Sequence, residues 1–197
     1  MTFRKEKKYK LTVFELNKIK SLLVKKGMYT LHKTRQIKSA YYDTEELDMF
    51  YNSEEGVLPR KKIRIRWYNS DEVATVETKI SSIEGRYKET IISDHKPSKK
   101  LPKIMQDHLY GLLTPSLFIS YKREYYSIDD LRVTFDSCIK YKNLRQFPMI
   151  DFSETENVME IKAPINMSDE FIENIIPYPT SRFSKYSRGL LTSLGGI

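Results

Sequence analysis

The stretch Arg60-Lys61-Lys62-Ile63-Arg64-Ile65-Arg66-Trp67-Tyr68 sets charge against apolar bulk with a period of two. That period belongs to a β-strand, whose successive side chains point to opposite faces. Arg60, Lys62, Arg64 and Arg66 therefore share one face, while Ile63, Ile65 and Trp67 occupy the other. Four cations line a single face over roughly 20 Å. The pattern recurs, with acids included. Glu77 and Lys79 lie opposite Val76 and Thr78, Arg132 and Asp136 opposite Leu131, Val133 and Phe135, and Glu160 and Lys162 opposite Met159 and Ile161. Arg4, Glu6 and Lys8 share a face of the first strand; Arg86 and Lys88 lie together, as do Tyr121, Arg123 and Tyr125. If the apolar faces pack against helices, the charged faces must converge inside a barrel or over one concave sheet. For a single strand an ordinary solvated face is the default. Recurrence favours a phosphate-rich ligand instead, because like charges so close together repel unless a bound polyanion, with a divalent metal held by the few acids, removes that cost.

The rest of the chain reads as strands and a few helices. Thr12-Val13-Phe14-Glu15 is a capping-box pattern ahead of Leu16, Ile19, Leu22 and Leu23, and Gly27 can end that helix. Strands are expected at residues 37–44, 60–68, 73–80, 85–92, 116–127, 131–141 and 157–165, with helical turns between Glu45 and Tyr51. Gly56, Pro59, Asn69-Ser70-Asp71 and Ser81-Ser82 punctuate them. A polar linker over 93–102 leads into a helix expected from about 102 to 113, with Ile104, Met105, Leu109, Leu112 and Leu113 on its apolar side. Ser168-Asp169-Glu170 starts another helix, and a last one is expected from Ser181 to Leu194. The order suits an α+β domain with a mainly antiparallel sheet, and about eight strands are enough for a closed barrel.

Composition removes the competing classes. The 197 residues fit one domain, and 40% hydrophobic content is too high for a disordered polycation. No run approaches 18 apolar residues and the basic start lacks an apolar segment, so we expect a soluble, cytoplasmic protein with neither a signal peptide nor a membrane span. Cys138 is the only cysteine, which excludes an internal disulfide and a Cys-rich zinc site. Phosphate-binding loops of the G-x-x-x-x-G-K-[ST] or G-x-G-x-x-G kind do not occur. Yet 34 Lys and Arg face 26 Asp and Glu, a net +8 that calls for a polyanionic partner.

Six segments in order carry a family likeness: Lys62 to Tyr68 (K-x-R-x-R-W-Y), Glu77 to Lys79 (E-T-K), Tyr121 to Arg123 (Y-K-R), Leu131 to Asp136 (L-R-V-T-F-D), Met159 to Lys162 (M-E-I-K) and Arg182 to Tyr186 (R-F-S-K-Y). Together they resemble the VTC domain, the polyphosphate-polymerase branch of the triphosphate tunnel metalloenzymes, over nearly the whole chain. The resemblance implies a single domain over residues 1–197, an antiparallel eight-stranded tunnel barrel with flanking helices. It implies phosphate contacts from Lys8, Lys62, Arg64, Arg66, Lys79, Lys88, Arg123, Arg132, Lys162, Ser184 and Lys185, with Lys8, Arg64, Arg66, Lys79, Arg123 and Arg132 the catalytic set. Glu160, assisted by Glu6, would bind Mn²⁺ or Mg²⁺. The implied reaction moves the γ-phosphate of ATP onto a growing polyphosphate chain and releases ADP. ATP, inorganic triphosphate or polyphosphate would be the partner rather than nucleic acid, and coupling synthesis to export would need a separate membrane protein. Related triphosphatases begin E-x-E-x-K, whereas this chain has Arg4-Lys5-Glu6-Lys7-Lys8; a base replaces the first acid, which favours the polymerase. A triphosphatase and a non-catalytic polyanion-binding module remain the rival readings.

His32, His95 and His108 follow no ligand spacing and read as loop or surface residues. Asp43 reads as a strand-end turn residue, most of the 14 tyrosines as half-buried packing, and Ser184 by itself as a helix-surface hydroxyl. Eleven cations read as facing inward (Arg4, Lys8, Lys62, Arg64, Arg66, Lys79, Lys88, Arg123, Arg132, Lys162 and Lys185) against Glu6, Glu77, Asp136 and Glu160 carry a net +7 of the chain's +8. The remainder is nearly neutral, which favours a threaded polyphosphate over a duplex lying outside.

Overall fold

The computed structural model describes residues 4–69, 73–83, 85–93 and 101–195. His95, the side chains of Arg4 and Arg86, the turn at Ser70-Asp71 and most of the predicted linker lie outside the described residues. The elements run β1 (Arg4–Leu11), α1 (Val13–Lys25), β2 (Tyr29–Asp43), α2 (Asp48–Glu55), β3 (Arg60–Tyr68), β4 (Ala74–Ser82), β5 (Gly85–Ser93), β6 (Met105–Asp107), β7 (Gly111–Ile128), β8 (Leu131–Asn143), β9 (Asp151–Ser153), β10 (Asn157–Pro164), α3 (Asp169–Ile175) and α4 (Lys185–Ser193). Strand order is β1-β10-β8-β7-β2-β3-β4-β5, with β6 on β7 and β9 on β8. The pairings β1–β10, β10–β8, β2–β3, β3–β4 and β4–β5 are antiparallel. Among the described residues no helix is long and apolar enough to cross a membrane.

The chain divides into two compact units. The first comprises Met1–Arg35, Tyr121–Ile139 and Glu154–Phe183, the second Gln36–Ser120, Lys140–Ser153 and Ser184–Ile197. In the first unit the capping box forms as expected: the Thr12 hydroxyl accepts from the Glu15 amide at 3.2 Å and Glu15 accepts from the Thr12 amide at 2.8 Å. This fixes the start of α1, and Leu16, Ile19 and Leu23, spaced for one helix face, are buried with Tyr9, Leu11, Val133, Phe135, Met159 and Ile161. The residues buried here are the apolar partners in the strand alternation. In the second unit Ala40, Tyr42, Met49, Ile63, Ile65 and Trp67 form the corresponding core, with Trp67 5.9 Å from the Phe118 ring.

Two expectations fail. The helix predicted over 102–113 is a β6–β7 hairpin, with Met105 opposite Leu113. The reason is local: the Asp107 carboxylate accepts from the amides of Leu109 and Tyr110 at 3.0 and 3.1 Å, and Gly111 takes φ 73, closing a turn where a helix would have continued. The apolar spacing misled, since Ile104, Leu109 and Leu112 are more than half exposed and only Leu113 is fully buried. The last helix begins at Lys185 rather than Ser181. Ser181 is drawn to β1 instead, its amide donating to the Lys8 carbonyl at 2.8 Å and its hydroxyl accepting from the Lys10 amide at 3.1 Å.

Candidate functional site

Directly opposed residues of antiparallel strands share a face, so register tells which charged side chains meet. In the second unit Lys62 faces Lys79, which faces Lys88; Arg64 faces Glu77, and Arg66 faces Thr75. From the other side Tyr41 faces Arg64 and Ser39 faces Arg66. Arg64 and Arg66 are 8% and 7% exposed, so this is no solvated face. Glu77, 2% exposed, organises it. One of its carboxylate oxygens accepts from Arg64 Nε at 2.8 Å and lies 3.4 Å from Arg66 Nη1, and the other accepts from Lys88 Nζ at 2.7 Å. Burial works to raise its pKa, but the charges of Arg64 and Arg66 and the hydrogen bonds from Lys88 and Arg64 bring it down to about 2. Arg64 Nη1 also donates to the Tyr41 hydroxyl at 2.6 Å, and Arg66 Nε to Ser39 at 3.2 Å. Burial would lift the Tyr41 phenol, yet the charges of Arg64, Arg66 and Lys62 hold it below the ordinary tyrosine value.

Lys62 Nζ donates to the Ser184 hydroxyl at 2.8 Å. Ser184 does not stand within the helix, as its sequence context suggested; it is the N-cap of α4, accepting from the Ser187 amide at 3.4 Å, and Lys185 is the first helical residue. The second unit thus brings together Lys62, Arg64, Arg66, Lys79, Lys88, Ser184 and Glu77, and of these cations Lys79 and Lys88 are exposed.

The first unit gathers the other candidates. Lys8 faces Glu160, which faces Thr134, while Glu6 faces Lys162, which faces Arg132. Arg123 grips the fully buried Asp136 through Nε and Nη2 at 2.5 and 2.6 Å. Glu160 lies 3.3 Å from Lys162 and 4.0 Å from Arg123, Glu6 lies 3.5 Å from Lys8, and Lys8 Nζ also donates to the Phe183 carbonyl at 3.0 Å. Arg132 is exposed.

Among the described residues no group of three or more His, Cys, Asp or Glu side chains could hold a metal ion. The donors present nevertheless suit a hard cation. Glu6 and Glu160 share one sheet face on adjacent strands, and beside Glu160 the buried Thr134 hydroxyl has no hydrogen-bond partner. One or two carboxylates with further oxygens is how Mg²⁺ is commonly held, the remaining positions going to water and substrate phosphate. His32, edge-on to Tyr125 at 5.7 Å, and His108, 3.4 Å from Lys61, belong to neither cluster.

Several residues escaped the sequence reading. Asp43 is a strand-end turn residue as expected, but a fully buried one, and Tyr186 donates to it at 2.5 Å. Tyr41 was indistinguishable from Tyr42 in sequence; only the register shows that Tyr41 shares the face of Arg64. Glu77 and Asp136 were placed on the charged faces, while their service as buried anchors for arginines had no sequence signal beyond parity.

This architecture recurs in solved structures. The PH1819 protein from Pyrococcus horikoshii OT3 matches with a TM-score of 0.56 at 15% identity, covering 98% of this chain and 99% of that one. A conserved hypothetical protein from Pyrococcus furiosus matches with a TM-score of 0.56 at 12% identity, covering 93% and 99%. A protein from Hippeastrum, described as an adenylyl cyclase candidate with a dominant triphosphatase activity, matches with a TM-score of 0.53 at 14% identity, covering 99% and 97%. No curated protein matches the chain. The fold is that of the triphosphate tunnel proteins. The family model for the VTC domain matches residues 3–194, and the chain belongs to that family.

Proposed function

We propose that this protein is a metal-dependent polyphosphate polymerase, transferring the γ-phosphate of ATP to a growing polyphosphate chain with release of ADP. The observation that carries the reading is the buried face of the second unit, where Arg64, Arg66 and Lys88 share the single carboxylate of Glu77 while Lys62 and Lys79 stand on the same face. Such a surplus in a partly desolvated setting favours a ligand with many negative oxygens. The arginines would bind phosphate oxygens through their planar forks, with Glu77, Tyr41 and Ser39 fixing the guanidinium planes beforehand. Lys8, Lys62, Lys79, Lys88, Arg123, Arg132, Lys162, Ser184 and Lys185 would add donors. Glu160, with Glu6, would hold Mg²⁺ or Mn²⁺, which when bound neutralises phosphate charge. Phosphoryl transfer asks the protein for in-line positioning and charge stabilisation above all, and a polyphosphate acceptor is itself an anionic nucleophile that needs no strong base.

The second reading is a triphosphatase, favoured by the activity described for the Hippeastrum protein. Product analysis separates the two. Incubation with ATP and Mn²⁺ should yield ADP and long polyphosphate; orthophosphate as the only phosphate product would overturn the polymerase in favour of hydrolysis. Glu160→Ala should abolish turnover while leaving salt-sensitive triphosphate binding largely intact. Unchanged turnover in that variant would remove Glu160 from the metal site.

A further inference from the structure

Of the four helices among the described residues, three place an acid in the first turn, as the positive end of a helix dipole favours: Glu15 in α1, Asp48 in α2, Asp169 and Glu170 in α3. Helix α4 has none. Its first residue is Lys185, and the Lys62 ammonium rests 2.8 Å from the hydroxyl of its cap, Ser184. The positive end of this helix therefore carries Lys185 and has Lys62 at its cap, so whatever holds the helix start also holds these charges in place.

The restraint is on the next residue. Tyr186 donates its phenol proton to Asp43 Oδ2 at 2.5 Å, and its ring stacks on Tyr41 with centroids 4.7 Å apart and planes at 15°. Asp43 cannot follow a moving helix, because its carboxylate also accepts from the amides of Thr44, Met49 and Phe50 at 2.8, 2.9 and 3.0 Å. Burial, reinforced by the Asp43 charge, raises the Tyr186 phenol well above its ordinary value, so the proton stays available for this bond. One turn further on, a Cβ at Gly189 would come within 2.5 Å of the Tyr141 ring and 2.7 Å of Leu117. The body of α4 is thus pressed onto the strands without slack, and the Tyr186 hydroxyl, which also shares a 3.1 Å hydrogen bond with Ser116 Oγ, ties its start to Asp43.

We propose that Asp43 and Tyr186 are a positioning pair, pinning the start of α4 so that Ser184 and Lys185 stay beside Lys62 in the geometry that receives phosphate oxygens. The pair touches no phosphate; it acts through α4, and its role rests on the reading of Lys62, Ser184 and Lys185 as phosphate ligands. A bond serving only general stability would have no reason to act on ligand affinity through those residues.

Tyr186→Phe keeps the ring and its stacking and deletes one hydroxyl. Calorimetric titration with inorganic triphosphate should show about a tenfold loss of affinity, and hydrogen exchange of the α4 amides over residues 186–190 should quicken. Asp43→Asn should reproduce both changes. In a Ser184→Ala/Lys185→Ala background the same hydroxyl deletion should change affinity less than about twofold, because the groups it positions are gone. Unchanged exchange in Tyr186→Phe, unchanged affinity where the wild type binds, or an equal tenfold loss in both backgrounds would each overturn the proposal. If the wild type itself does not bind triphosphate while exchange quickens in Tyr186→Phe, the phosphate reading fails and the pinning of α4 stands.

Discussion

The two units distribute charge differently. In the second, one buried acid, Glu77, is shared by Arg64, Arg66 and Lys88, with Lys62 and Lys79 on the same face. In the first, Lys8, Arg123, Arg132 and Lys162 are set against three, Glu6, Asp136 and Glu160. An acid shared by several cations leaves a standing positive surplus, which an anion relieves. Near one-to-one pairing leaves little surplus, and Glu6 and Glu160 meet their lysine and arginine neighbours at 3.3 to 4.0 Å, distances at which a divalent cation could compete for the carboxylates. On the proposed reading, the same alternating strand pattern would serve phosphate binding in one unit and cation binding in the other, according to how acids are shared on the charged face.

The largest test of this contrast is at Arg64. Arg64→Met keeps apolar bulk but removes the main partner of Glu77, leaving that buried carboxylate with Arg66 and Lys88 alone. Unfolding free energy should fall by about 3 kcal/mol, the scale of breaking a buried pair, and triphosphate affinity should drop roughly 10- to 100-fold. Urea denaturation and calorimetry read the two effects separately. A variant that loses affinity at full stability would make Arg64 a ligand that Glu77 does not need, and the anchoring argument would fall.

Much of this was legible in sequence because a strand's period of two is a local property. Parity alone separated Arg64 and Arg66 from Ile63 and Ile65, and Glu160 and Lys162 from Met159 and Ile161, as the structure bears out. What parity cannot supply is register. That Glu77 rather than Lys79 lies opposite Arg64, and that Tyr41 lies on its other side, are relations between segments that no local pattern encodes. The same limit explains the misread segment at 102–113: its apolar spacing fits a helix, and the decision went to Asp107 capping two amides and to the Lys61 ammonium 3.0 Å from that carboxylate, a partner 46 residues away. The start of α4 was misplaced for a similar reason, since Ser181 pairs with β1 at the other end of the sequence.

A smaller effect follows from Glu77 itself. Its pKa is lowered from 4.5 to about 2 in the folded protein, so the unfolded chain binds the proton more readily. Its contribution is therefore fully present above about pH 4.5 and lost as the pH falls toward 2. The full swing is roughly 3 kcal/mol, at 1.36 kcal/mol per unit, and only part of it is lost by pH 3. Denaturation midpoints of the wild type and Glu77→Gln between pH 5 and about 2.5 should converge as the pH falls, with the wild type steeper. Parallel curves would show that the carboxylate is not held by the arginines in solution.

The smallest effect belongs to Lys88, which shares the same carboxylate from a different position. Its side chain is 45% exposed, against 10% for Arg64, although its bond to Glu77 is short at 2.7 Å. Water screens an exposed ammonium and solvates it when the pair opens, so Lys88→Ala should change stability by less than about 1 kcal/mol. Triphosphate affinity should fall only about two- to threefold, and the difference should shrink as salt is raised, because a partly exposed charge is screened over about 10 Å at 0.1 M. If Lys88→Ala instead costs as much as Arg64→Met, and does so independently of salt, burial is not what distinguishes the anchored arginines from the rim lysines. The charged face would then act as one cooperative network around Glu77, and the contrast between the two units would lie in how their charges are connected rather than in how many acids share them.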